Sequence, residues 1–213
     1  MNIFLWNCKH LTSDKLEMLP SISSHAQIIL LTETWQELGG SFSLPGYACV
    51  SVAKHFQHQL ARRPSGGIAA FIRNDVSPYV SQWRPLEECS HLWLHISADA
   101  GMAQDLYLCL CYLPPQNSTY YQSLAEHPLD VITREVHCAS GLGAVLLAGD
   151  FNARTGCAPD WANHNDLADI YDYLEGAPAA ASNDDSFRPS ARHSKDPKLN
   201  SQGKALLQFC QEC

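Results

Sequence analysis

Five short apolar runs punctuate the first half of the chain, at residues 3–6, 28–31, 68–72, 92–96 and 106–112, and a sixth follows at 145–148. Each is too short for a globular helix and is set between turn-rich segments, the pattern of strands. The runs at 28–31 (IILL) and 145–148 (VLLA) are apolar at every position. That predicts strands buried on both faces, and so a sheet covered on both sides.

Helical periodicity is sparser. Leu129, Ile132 and Val136 share a face in a segment that Asn117 or Ser118 would open and Gly141 would close. A second helix is expected from near Asn200, with Leu206, Leu207 and Cys210 on one side. Between Thr12 and His25 a short helix is expected, with Asp14 and Glu17 as a capping pair and Pro20 ending or kinking it. No internal repeat is visible. Residues 160–199 mix Asp, Asn, Ala, Pro, Ser and His without a period, and read as a long irregular acidic loop, solvated rather than a further metal or partner site.

With 213 residues, 46% of them hydrophobic, the chain fits one domain over 1–213. Its start lacks a basic n-region and no run approaches a membrane span. The expectation is an intracellular protein, nuclear or cytoplasmic, with no membrane partner. Nine cysteines, an odd number scattered through the chain, argue for reduced thiols. Cys109 and Cys111 would share one face of a strand as packing residues. Cys210 and Cys213 form a C-x-x-C without the second half that a zinc site needs. A formal net charge of -8 is unfavourable for broad contact with a polyanion. Carboxylates that recruit a divalent ion reverse the local field, however, and a few arginines can hold a phosphate. Arg62, Arg63 and Arg154 are the candidates.

The chemistry is carried by strand ends. Asn7, Glu33, Tyr112, and Asp150 with Asn152 each end or closely follow an apolar run, where loops converge in layered α/β proteins. Singly they are ordinary turn, cap or core residues. As a set they match phosphodiester hydrolysis. A hard ion, Mg²⁺ with Mn²⁺ as the alternative, suits Glu33 helped by Asn7. Asp150 would orient or deprotonate the attacking water, and Tyr112 would donate its hydroxyl to the phosphate. Asn152 would point the same way as Asp150 if the segment stays extended. Gly66-Gly67 suits a tight turn and makes no phosphate loop, since no G-K-[ST] follows.

The ordered set Trp6-Asn7, Thr32-Glu33-Thr34-Trp35, Pro45-Gly46-Tyr47, Ser65-Gly66-Gly67-Ile68-Ala69, Tyr112-Leu113-Pro114-Pro115 and Gly149-Asp150-Phe151-Asn152-Ala153-Arg154-Thr155-Gly156 resembles the endonuclease/exonuclease/phosphatase superfamily. More narrowly, it resembles the apurinic-type endonuclease domain of non-LTR (LINE-like) retrotransposon proteins. The resemblance implies a DNase I-like α/β fold, a four-layer sandwich of two mixed β-sheets flanked by helices. It also implies DNA as substrate and a reverse transcriptase domain in a longer parent protein. Asn7 and Glu33 would take the metal-side positions, Tyr112 the phosphate-side hydroxyl, Asp150 the water-activating and Asn152 the phosphate-orienting position. Two places depart from the pattern. Lys9, with His10 beside it, stands where many members carry an acid or amide, which weakens the expectation that this loop binds metal. The family's Ser-Asp-His-type ending is not found, so the fold is expected to be incomplete at the C-terminus, with a sheet edge exposed. Three functions are consistent with the set: a DNA-nicking endonuclease, a small-molecule or lipid phosphodiesterase of the same superfamily, and a truncated, inactive remnant.

Overall fold

The computed structural model describes residues 1–37, 39–53, 65–85, 90–158 and 194–213. These form two compact units, Met1–Asn152 and Ala153–Cys213.

The first unit is a four-layer sandwich. Sheet A has the order β1 (Ile3–Asn7), β2 (Ile28–Thr32), β4 (Ile68–Arg73), β3 (Tyr47–Val52). Sheet B has the order β5 (Val80–Gln82), β6 (His91–Ile96), β7 (Leu106–Tyr112), β8 (Ala144–Asp150). Each sheet has one parallel edge pair, β1 with β2 and β7 with β8, and antiparallel pairs elsewhere. The two sheets thus repeat one pattern that leaves no periodicity in the sequence.

Alternation of side chains along each strand builds the core. Ile28, Leu30, Ile68 and Ala70 of sheet A meet Leu92, Leu94, Leu108 and Leu110 of sheet B between the sheets. The opposite face of sheet A, Ile29, Leu31, Ala69 and Phe71, packs on Leu19 of helix α1 (Ser13–Ile22). Helix α2 (Pro128–Ser140) covers the other face of sheet B. There Glu135 accepts from the indole of Trp93 at 2.8 Å and lies 2.8 Å from His91 Nε2. Burial pushes the Glu135 carboxyl up, but His91 and the Trp93 hydrogen bond outweigh it and hold the group below its ordinary value.

Several local expectations need correction. Strand β2 is buried at every residue, but β8 is the edge of sheet B and only half-buried, with Leu146 exposed. Strand β3 is half-buried and β5 is three residues long, so neither shows a sustained apolar run. Helix α1 is capped by the Thr12 hydroxyl, which accepts from the Lys15 amide, and not by an Asp14/Glu17 pair. Pro20 lies inside its last turn and the helix runs two residues further. Ser118 caps only a short 3₁₀ turn, Thr119–Ser123. Helix α2 starts at Pro128, whose fixed φ suits a first turn, with His127 Nδ1 accepting from the Leu129 amide.

In the second unit, helix α3 (Ser201–Glu212) is capped by Asn200, whose side-chain oxygen accepts from the Gly203 amide at 2.7 Å. Its buried residues are Gln202, Gly203, Leu207 and Phe209, while Cys210 is exposed. Of the loop expected over 160–199, only residues 194–199 are described, and they are irregular apart from a bridge between Leu199 and Thr155. Among the described residues no helix is long and apolar enough to cross a membrane.

Candidate active site

Asn7, Thr32, Tyr112 and Asp150 are the last residues of β1, β2, β7 and β8. The registers pair Asn7 with Thr32 and Tyr112 with Asp150. Two parallel pairs, one per sheet, therefore end together. Asn7 shares the face of Ile3, and Asp150 that of Ala148, both packed against the core between the sheets.

The Asn7 amide joins the two sheets. Its Nδ2 donates to Glu33 Oε1 at 2.9 Å and to Asp150 Oδ2 at 2.7 Å, and its Oδ1 accepts from the Lys9 amide at 3.2 Å. Asp150 also accepts from the Asn152 amide through Oδ1 at 2.9 Å. Tyr112 is buried. Burial, then the Glu33 and Asp150 charges, push this phenol well above its ordinary value, so it remains a donor at neutral pH.

The backbone is unusual where the site lies. Glu33 has φ +55° and Asn152 φ +48°, left-handed conformations that cost a non-glycine residue about 1–3 kcal/mol. The Glu33 conformation is held by neighbouring loops: its carbonyl accepts from the His10 amide at 2.7 Å, and the following Thr34 amide donates to Gly67 O at 3.2 Å. At Asn152 the extended geometry expected from the sequence fails. The turn that draws its amide onto Asp150 also aims its Nδ2 at the Leu113 carbonyl, 2.8 Å away. Gly149, with φ +149°, allows the approach to this turn, because a Cβ there would stand 1.9 Å from the Cys111 carbonyl oxygen.

Asn7, Glu33, Tyr112, Asp150 and Asn152 are thus brought together in the first unit. Arg154 belongs to the second unit, where its guanidinium grips Asp196 through two contacts of 2.6 and 3.0 Å. Arg62 and Arg63 lie outside the described residues. Two further neighbours carry no signal at the level of residue type. The Leu113 carbonyl is main chain, and the Thr32 hydroxyl, buried without a hydrogen-bond partner among the described residues, belongs to a residue type common in strands.

The donor set fits a hard divalent ion. Two carboxylates converge on one amide, and Mg²⁺ takes one or two carboxylates with water and substrate oxygens. Among the described residues no three His, Cys, Asp or Glu side chains cluster closely enough to hold a metal alone. Water and substrate would therefore complete the coordination.

Fold and cluster together define an α/β sandwich with a carboxylate site at the rim between its sheets. Residues 4–189 match the model of the Endonuclease/Exonuclease/phosphatase family, and the chain belongs to that family. Among solved structures, the catalytic domain of APE2 from Xenopus laevis is 17% identical with a TM-score of 0.51, over 75% of this chain and 62% of that one. The 3′ phosphatase NExo from Neisseria is 17% identical with a TM-score of 0.49, over 75% and 60%. The endonuclease domain of TRAS1, a telomere-specific non-LTR retrotransposon, is 17% identical with a TM-score of 0.46, over 81% and 69%. The chain thus spans 60% of NExo and 62% of the APE2 domain. The likeness to APE2 is one of fold. A comparison with curated proteins finds no match.

Proposed function

We propose that this chain is a metal-dependent phosphodiester hydrolase that nicks DNA. The observation that carries the reading is the Asn7 bridge between Glu33 and Asp150, which assembles hydrolytic residue types from both sheets at one rim. Glu33, with Asn7 beside it, would hold Mg²⁺, or Mn²⁺ in its place. The ion would polarise a phosphoryl oxygen and offset the charge of in-line attack.

The chain's own residues do the rest. Asp150, kept in place by the Asn7 and Asn152 donors, orients the attacking water and takes its proton. Tyr112 is held protonated and donates its hydroxyl to the phosphate. Asn152, its amide orientation fixed by Leu113, borders the phosphate side. Arg62, Arg63 and Arg154 supply backbone phosphate contacts, with Arg154 exchanging Asp196 for a phosphate. Thr32-Glu33-Thr34-Trp35 and Tyr112-Leu113-Pro114-Pro115 support a finer assignment to a non-LTR retroelement protein, in which a reverse transcriptase domain would extend a 3′-hydroxyl left by the nick.

Supercoiled plasmid incubated with Mg²⁺ tests the proposal. The chain is expected to produce open circles whose nicks prime a DNA polymerase, and Asp150→Ala and Glu33→Gln to reduce the rate at least a hundredfold, on the order of what a positioned general base contributes. Nicking that survives Asp150→Ala refutes the assignment of the base. Absence of nicking by the unsubstituted chain refutes the endonuclease reading for this chain.

A further inference from the structure

The loop from β1 to α1 is held in an uncommon shape. Lys9 and His10 have φ +43° and +78°. The Lys15 ammonium donates to the carbonyl oxygens of Cys8, Lys9 and His10 at 2.6, 3.1 and 3.0 Å. The His10 and Leu11 amides donate to the carbonyls of Glu33 and Thr34 at 2.7 and 3.0 Å.

The loop it leans on is equally constrained. Trp35 has φ +53°, and its amide donates to Gly66 O at 2.9 Å. Gly66 and Gly67 are left-handed, and a Cβ on Gly67 would come within 2.6 Å of the Thr34 hydroxyl. The product of these three interlaced loops is one flat stack. The His10 imidazole lies on the Trp35 indole with ring centres 5.2 Å apart and planes 14° from parallel.

Core packing would account for the half-buried Trp35 alone. It does not account for an exposed His10 ring held flat on it. We infer that the His10–Trp35 stack is a platform for a nucleobase of the substrate, beside Glu33, with Lys15 as the positioning residue that fixes the platform's loop. The inference rests on the reading of the chain as a nucleic-acid phosphodiesterase. Every base has a π-face, so such a platform accepts any of them and favours single-stranded or unstacked segments.

Fluorescence anisotropy in EDTA tests it with two labelled single strands of equal length, one an ordinary oligonucleotide and the other carrying tetrahydrofuran in place of every base. The unsubstituted chain is expected to bind the base-bearing strand about tenfold more tightly, within the range that stacking one base on an aromatic side chain contributes. His10→Asn, which removes the ring yet tolerates a left-handed backbone, is expected to lose that preference with its affinity for the abasic strand unchanged. Equal affinity of the unsubstituted chain for both strands overturns the platform. So does a loss in His10→Asn that is the same on both strands. Neither result touches the hydrolase reading, which stands or falls on the plasmid assay. Failure to bind either strand overturns the platform as well, and Asp150-dependent nicking would show that the hydrolase reading survives it.

Discussion

Replacing Asn7 probes the junction between the sheets. In Asn7→Ala the two charge-assisted hydrogen bonds to Glu33 and Asp150 disappear and two neighbouring carboxylates lose their shared donor. Hydrogen bonds to charged groups contribute about 1.5–3 kcal/mol each. Asn7 and Glu33 are half-buried and water can replace part of the donation, so the expected total is about 2–3 kcal/mol, at or below the roughly 3–6 kcal/mol of two full bonds. In a chain of this size 1 kcal/mol moves Tm by about 2–4 °C, so the melting temperature in EDTA should fall by about 4–12 °C. Asn7→Asp sharpens the argument by adding a third carboxylate where a donor stood. Like charges raise the introduced carboxyl in the folded state, so its destabilising effect is present above that raised value. It is expected to diminish as the pH falls through that raised value, as between a neutral and an acidic buffer, and Mg²⁺ should diminish it at constant pH. Calorimetry in EDTA and in Mg²⁺ at both pH values measures all of these. A melting temperature for Asn7→Ala in EDTA within a degree of the unsubstituted chain would refute the reasoning, because the bridge would then hold nothing.

Gly149→Ala should cost at least about 3 kcal/mol in urea unfolding, since its Cβ would meet main-chain atoms of Cys111 that cannot yield without breaking the β7–β8 pairing; a cost below 1 kcal/mol would contradict the geometry. Glu135 is lowered in the folded state from 4.5, so its contribution is complete above pH 4.5 and lost as pH falls through the lower folded value. The unsubstituted chain should therefore exceed Glu135→Gln by about 1–3 kcal/mol near neutrality, and the gap should close in acid. Burial pushes the Cys8 and Cys49 thiols up to about 11, and Cys109 and Cys111 are fully buried. Iodoacetamide at pH 8 should modify exposed Cys138, Cys157, Cys210 and Cys213 of the native chain and spare those four, as read by peptide mass spectrometry.

The elements legible in the sequence are those whose signal is local. Strands β2 and β7 are buried along most of their length, so their apolar runs alone mark them. Strand β8 reads the same way in sequence but lies at an edge, since composition reports hydrophobicity and not the number of neighbouring strands. Strand β3, with Tyr47, Cys49 and Ser51 alternating along it, exists because β4 offers it a hydrogen-bonding edge, a tertiary fact. The start of α2 was displaced for a related reason. Ser118 caps a real turn, but the chain reaches its helix only where Pro128 fixes the first residue.

At the site, residue type was legible and conformation was not. Hydrolysis of a phosphodiester needs carboxylates, an amide and a hydroxyl at strand ends, and those types stand out after apolar runs. Nothing in Thr32-Glu33-Thr34-Trp35 announces a left-handed Glu33, because that conformation is set by the His10 amide and the Gly66-Gly67 turn, which are 23 or more residues away in the chain. The same holds for Asn152, whose extended reading fails because Asp150 captures its amide and Leu113 its side chain. Ser65-Gly66-Gly67 therefore acquires a role that no phosphate-loop reading gives it. Its left-handed glycines accept the Thr34 and Trp35 amides and so hold Glu33 where the Asn7 amide can reach it. An alanine at Gly67 would act on the site through Thr34 and Glu33 without touching substrate.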